Sequence, residues 1–156
     1  MGCAPLCLCT SPDTPIATPT GERAMGSLRV GELVYSVDAG AIRAVPIARI
    51  NRISVSHHEV VRVKLANGAV LEISGTHPTA DGRDFNGLRA GDDLGQVAIV
   101  SIERVPYPHP LTYDILPSSS SGSYFAGGAL IGSTLAAPLA ERNPSADVRD
   151  AKASLP

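Results

Sequence analysis

The chain has 156 residues, 44% of them hydrophobic, with two Phe, four Tyr, no Trp and a net charge of −2. That length holds one domain whose core must be aliphatic. The near-balanced charge gives no basic footprint for nucleic acid, and no run of 18 apolar residues is present to span a membrane.

The first nine residues hold all three cysteines, Cys3, Cys7 and Cys9. An odd number crowded at one end makes no disulfide framework. Structural zinc needs four ligands, and His57, His58, His77 and His109 supply no matching pair, so neither a metal nor a cofactor is expected. The opening residues lack the charged n-region of a signal peptide. Leu6 stands where a myristoylation signal has Ser or Thr.

Further along, Thr18-Pro19-Thr20-Gly21 reads as a turn and Leu33-Val34-Tyr35-Ser36-Val37 as a strand broken by Asp38-Ala39-Gly40. Val45 to Ile53 reads as a longer strand. His57 and His58, next to Glu59, read as a solvated loop. Val61-Arg62-Val63-Lys64-Leu65 alternates, Asn67-Gly68 turns, and Val70, Leu71 and Ile73 follow. Asn-Gly between alternating runs predicts a hairpin with a two-residue type I′ turn. No convincing apolar stripe of period 3.6 exceeds two turns before Ser133. The domain is predicted to be all-β.

An internal repeat organises these strands. Leu28-Arg29-Val30-Gly31-Glu32 recurs as Leu88-Arg89-Ala90-Gly91-Asp92, and the strand from Val45 to Ile53 recurs from Val97 to Val105. Upstream, the turn at Thr18–Gly21 recurs within His77–Gly82. Two related β units about a pseudo-twofold axis are expected. From Leu135 the composition shifts to Ala, Pro and charge, which predicts a mobile tail.

Ser74-Gly75-Thr76-His77-Pro78 places an imidazole at a strand exit, far in sequence from the Cys9 thiol. A cysteine and a histidine brought together by folding are the parts of an acyl-transfer site. Each side chain also admits a structural reading. Cys9 can serve as a small buried apolar group, His77 and Ser74 as turn residues, and Asp114 as the holder of a strand end.

Four blocks then occur in one order. Cys9 is followed by Thr14-Pro15-Ile16-Ala17-Thr18-Pro19-Thr20-Gly21 and by Leu28-x-x-Gly31-Glu32. Next comes Ser74-Gly75-Thr76-His77-Pro78, then Thr112-Tyr113-Asp114-Ile115 and Tyr124-Phe125-Ala126-Gly127-Gly128-Ala129-Leu130-Ile131. This series resembles the Hint superfamily of inteins, bacterial intein-like domains and Hedgehog autoprocessing domains, with Ser74 in the Thr position of the Thr-x-x-His block.

The resemblance implies a compact, pseudo-twofold-symmetric all-β horseshoe over residues 9–134, an eight-residue N-terminal flank (1–8) and a tail (135–156). It implies that Cys9 attacks the carbonyl of Leu8. His77, with Ser74, would polarise that peptide and protonate the departing amine; Asp114 would take the thiol proton or steady the charges. Thr134 matches the downstream nucleophile.

The chain departs from splicing members at the end. Gly132 stands where the family has His and Ser133 where it has the cyclising Asn, so full splicing is not expected. The implied activity is N-terminal self-cleavage. Its cis substrate is the protein's own N-terminal flank, and water or a small thiol is the acyl acceptor. The rival expectations are a catalytically silent structural or interaction module and, more weakly, a thiol peptidase acting on other proteins.

Overall fold

The computed structural model describes residues 9–136. The expected leader 1–8, with Cys3 and Cys7, and all of the expected tail beyond Ala136 lie outside the described residues. Eleven strands follow in chain order: β1 (Pro15–Thr18), β2 (Gly21–Ala24), β3 (Leu33–Asp38), β4 (Ala41–Ser54), β5 (Glu59–Leu65), β6 (Val70–Ile73), β7 (Asp93–Leu94), β8 (Val97–Pro106), β9 (Leu111–Pro117), β10 (Tyr124–Ala126) and β11 (Ala129–Ile131). The only helical elements among the described residues are two 3-10 turns, Met25–Ser27 and Phe85–Gly87. The all-β reading therefore holds.

Three sheets form, with strand orders β11-β10-β1-β2, β3-β4-β9 and β6-β5-β8-β7. The long arms β4 and β8 take their second partner from the other half of the chain. β4 pairs with β9, and β8 pairs with β5. This exchange closes the sheets over a shared aliphatic core that includes Ile16, Val34, Ile47, Val63, Leu71 and Ile115. Period-2 patterning positions these residues, because alternate side chains of a strand face one side.

The repeat is visible bond by bond. Gly31 N–H donates to Ile47 O, and Gly91 N–H to Ile99 O. Arg29 N–H donates to the Glu32 carboxylate at 2.7 Å, and Arg89 N–H to that of Asp92 at 2.9 Å. Both glycines sit at positive φ, 91° and 94°, a region that side chains disfavour.

The sequence repeat set Thr18–Gly21 against the turn beginning at His77, but the hydrogen bonds match His77 with Thr14, further upstream. Thr14 N–H donates to Ser11 O as His77 N–H donates to Ser74 O. Met25 N–H donates to Thr14 O as Phe85 N–H donates to His77 O. Ser11-Pro12-Asp13-Thr14-Pro15 is thus the mate of Ser74-Gly75-Thr76-His77-Pro78.

Under this correspondence Thr10 is the mate of Ile73, and the two residues form an antiparallel bridge with each other. Its flanking bonds, Ser11 N–H to Glu72 O and Ser74 N–H to Cys9 O, are also mates. Thr10 and Ile73 therefore straddle the pseudo-twofold axis, and Cys9 lies beside it.

One turn differs from expectation. Asn67 keeps a negative φ and only Gly68 is positive, at 91°. Gly68 N–H donates to Leu65 O, and Leu65 N–H donates to Ala69 O. This is a three-residue loop with a glycine bulge, not a two-residue type I′ turn. The Asn67 side chain explains the choice: its Oδ1 accepts from Ala69 N–H at 3.0 Å and its Nδ2 donates to Gly127 O at 2.8 Å. Paired positive φ values occur instead at Ala39-Gly40, Gly95-Gln96 and Gly127-Gly128.

Candidate functional site

The N-terminal segment runs between two sheets. Thr10 N–H donates to Tyr113 O at 2.7 Å, and Tyr113 N–H returns a bond to Thr10 O at 2.9 Å. On its other flank Thr10 bridges Ile73. One step along these antiparallel registers sets Cys9 beside Ser74 on one side and Asp114 on the other. Ser74 N–H donates to the Cys9 carbonyl at 3.0 Å. Cys9 is 1% exposed.

His77 is fully buried, its ring edge-on to Phe85 with centroids 6.0 Å apart. Its Nε2 lies 2.8 Å from the carbonyl oxygen of Gly132. A carbonyl only accepts, so Nε2 carries a proton and donates to it. The C-terminal segment thus sets the tautomer of the histidine.

Asp114 is fully buried and accepts from four donors. Tyr124 O–H (2.7 Å) and Ile115 N–H (2.9 Å) bind Oδ1. Thr134 N–H (2.8 Å) and Thr134 O–H (2.5 Å) bind Oδ2. Burial, followed by the Asp114 and Cys9 charges, pushes the Tyr124 phenol well above its ordinary value. The phenol therefore stays protonated as a donor to the carboxylate.

The five residues singled out from the sequence fall into two linked sets. Cys9, Ser74 and His77 are joined through the Ser74 backbone. Asp114 and Thr134 are joined by hydrogen bonds. Segment 132–134 connects the sets, since Gly132 holds His77 and Thr134 holds Asp114.

A further residue enters the neighbourhood. His58 Nε2 lies 2.8 Å from Ser74 Oγ, and its ring packs edge-on against Tyr107 at 5.6 Å. The solvated-loop reading fits His57, which is exposed, and fails for His58, whose pKa burial lowers. The β5–β6 hairpin carries this correction, because pairing of Val61 with Ile73 returns the β5 entrance over Ser74.

Gly132 has little room. A Cβ there would lie 2.9 Å from the carbonyl oxygen of Thr79 and 3.2 Å from that of Pro78. Gly132 N–H also donates to Pro78 O. Gly132→His is expected to destabilise the fold by about 1–3 kcal/mol, as overpacking does. Urea denaturation measures this, and an unchanged midpoint would refute it.

Among the described residues, no group of three His, Cys, Asp or Glu side chains is placed to hold a metal ion. No described helix is long and apolar enough to cross a membrane.

This arrangement, with Cys9 and Thr10 beside a pseudo-twofold axis and residues 132–134 bonded to His77 and Asp114, is a Hint/intein-like fold. Solved structures agree. A DnaB intein from Synechocystis sp. PCC 6803 matches with TM-score 0.67 and 13% identity, over 81% of this chain and 99% of that one. The MchDnaB-1 intein matches with TM-score 0.64 and 23% identity, over 79% and 98%. A bacterial intein-like domain from Clostridium thermocellum matches with TM-score 0.66 and 16% identity, over 80% and 96%. No protein-family model and no curated protein matches the sequence.

Proposed function

We propose that this chain is an intein-like autoprocessing domain that performs an N-to-S acyl shift at the Leu8–Cys9 peptide and releases its N-terminal flank without splicing. The observation that carries this reading is the seat of Cys9. A buried thiol lies where two sheets meet, its carbonyl held by Ser74 N–H, with Asp114 in register on the opposite flank.

The chemistry balances with the residues present. The Cys9 sulfur bonds to the Leu8 carbonyl carbon, and its proton passes to His77 Nδ1. The carbon–nitrogen bond then breaks, and the imidazolium returns the proton to the departing Cys9 amine. His77 suits both transfers, because an imidazole nitrogen can take up a proton and give it back. The Gly132 carbonyl holds the other ring nitrogen, Nε2, as a donor. The sequence reading offered Asp114 as acceptor of the thiol proton or as a group that steadies the charges. Its four existing donors favour the second role, and it also holds the Thr134 hydroxyl in place. Thr134 is the internal alternative to water or a small thiol as acyl acceptor.

The test is a fusion carrying a folded protein ahead of Met1, incubated with and without dithiothreitol or hydroxylamine and followed by mass spectrometry. Thiol-dependent appearance of a fragment beginning at Cys9 is expected. An intact mass after prolonged incubation would overturn the reading in favour of a silent structural or interaction module. Turnover of an added peptide would instead favour a peptidase acting on other proteins.

A further inference from the structure

We propose that His58 is a positioning residue for the acyl shift, acting through Ser74; this rests on the self-cleavage reading above. Ser74 is buried at 1% exposure, its Oγ is 2.8 Å from His58 Nε2, and its N–H holds the Cys9 carbonyl. The hydroxyl has a single proton, and His58 decides where it points. When Nε2 is bare, Ser74 spends that proton on the imidazole. When Nε2 carries a proton, it donates to Ser74 Oγ, and Ser74 turns its own proton toward the N-terminal segment. In the acyl shift such a donor stabilises the oxygen that gains charge on the attacked carbonyl.

The surroundings are built to hold this pair. Tyr107 N–H donates to His58 O at 2.9 Å, and Tyr107 O–H donates to Leu111 O at 2.6 Å. The Tyr107 ring therefore lies fixed between His58 and His109, with centroids 5.6 and 5.2 Å away. Burial lowers the His58 pKa and pushes the Tyr107 phenol above its range, so neither adds charge at neutral pH. The other titratable groups facing Tyr107 are Cys9 and Asp13 from the N-terminal segment, Glu72 from β6 and Tyr113 from β9. His109 pairs with Asp13 at 3.5 Å. Of the groups around this ring, His58 bonds to the Ser74 hydroxyl.

The experiment compares thiol-induced cleavage of the fusion across pH for wild type, His58→Gln, His58→Phe and Ser74→Ala. The rate ratio of wild type to Ser74→Ala is expected to rise as pH falls through the His58 titration, below 6.5. His58→Gln keeps a donor at every pH and is expected to hold that ratio high and flat. His58→Phe fills the space without a polar atom and is expected to lose about tenfold below the His58 titration, the size of one hydrogen bond, and none of that above it. In the Ser74→Ala background it should have no further effect. Below the His58 titration, full activity of His58→Phe, or an equal loss in both backgrounds, would overturn the proposal.

A readout without cleavage separates this proposal from the reading it rests on. In the Cys9→Ala protein, Ser74→Ala is expected to move the His58 titration followed by NMR. An unmoved titration overturns the pairing whether or not the wild type cleaves. A wild type that never cleaves overturns the acyl shift and with it the catalytic part of this proposal.

Discussion

Cys9→Ala is expected to abolish thiol- and hydroxylamine-induced cleavage of an N-terminal fusion while leaving the domain folded. The sulfur is the only atom in the proposed scheme that forms a bond to the Leu8 carbonyl, so no residual route remains once it is gone. The structural cost is small by comparison. The site is fully buried, but only one heavy atom is removed, a loss of about 1 kcal/mol. The backbone bonds that seat the segment, Ser74 N–H to Cys9 O and the pair between Thr10 and Tyr113, do not involve the side chain. A thermal midpoint within about 4 °C of wild type, together with total loss of the thioester-derived fragment in mass spectra, is the predicted pattern. Cys9→Ser should retain a slow reaction, since a hydroxyl deprotonates far less readily than a thiol of pKa about 8.5. Cleavage of Cys9→Ala at the wild-type rate would refute the mechanism outright.

Much of the fold was legible because β-structure writes a local pattern. Alternation exposed β3, β5 and β6, and the Leu-Arg-x-Gly repeat carries its own turn chemistry in Gly31 and Gly91. Other features depend on partners that sequence does not name. Asn67-Gly68 carries the residues of a type I′ turn, yet Asn67 bonds to Gly127, 60 positions away, and the loop takes another form. The exchange that pairs β4 with β9 and β8 with β5 leaves no local trace. The mate of the His77 block, Ser11 to Pro15, shares only Ser and Pro with it at matching positions, so a motif search passes over it.

The site divides along the same line. Cys9, Ser74, His77, Asp114 and Thr134 were singled out through block order and family resemblance, and what the structure adds is their connections. The Gly132 carbonyl on His77 is a backbone atom, invisible in any side-chain pattern. His58 stood beside the exposed His57 and carried no distinguishing signal of its own. Only the hairpin register brings it to Ser74.

Asp114→Ala is expected to be the most destabilising single change at this site, costing about 3–5 kcal/mol, the usual scale for removing one partner of a buried charged network. It orphans the buried Tyr124 hydroxyl and Ile115 N–H and releases the half-buried Thr134 N–H and hydroxyl. A buried donor left unmatched costs its full desolvation, which exceeds the net worth of the bond it made. Asp114→Asn should fall between this variant and wild type. Its carbonyl oxygen still receives Tyr124 and Ile115, but its amide faces Thr134 N–H donor to donor. Tyr124→Phe should cost least, about 1 kcal/mol, because Ile115 N–H still serves Oδ1. Urea denaturation of the three variants reads this order directly. The same substitution tests how the two ends of the domain communicate. Thr134 anchors the segment whose Gly132 carbonyl fixes the His77 tautomer, so releasing Thr134 should let Nε2 lose its acceptor and the imidazole lose its preferred proton placement. Under conditions where Asp114→Asn remains folded, cleavage at Cys9 should therefore slow even though Asp114 performs no proton transfer in the scheme. A stable Asp114→Asn protein that cleaves at full rate would show that the C-terminal segment does not govern the histidine.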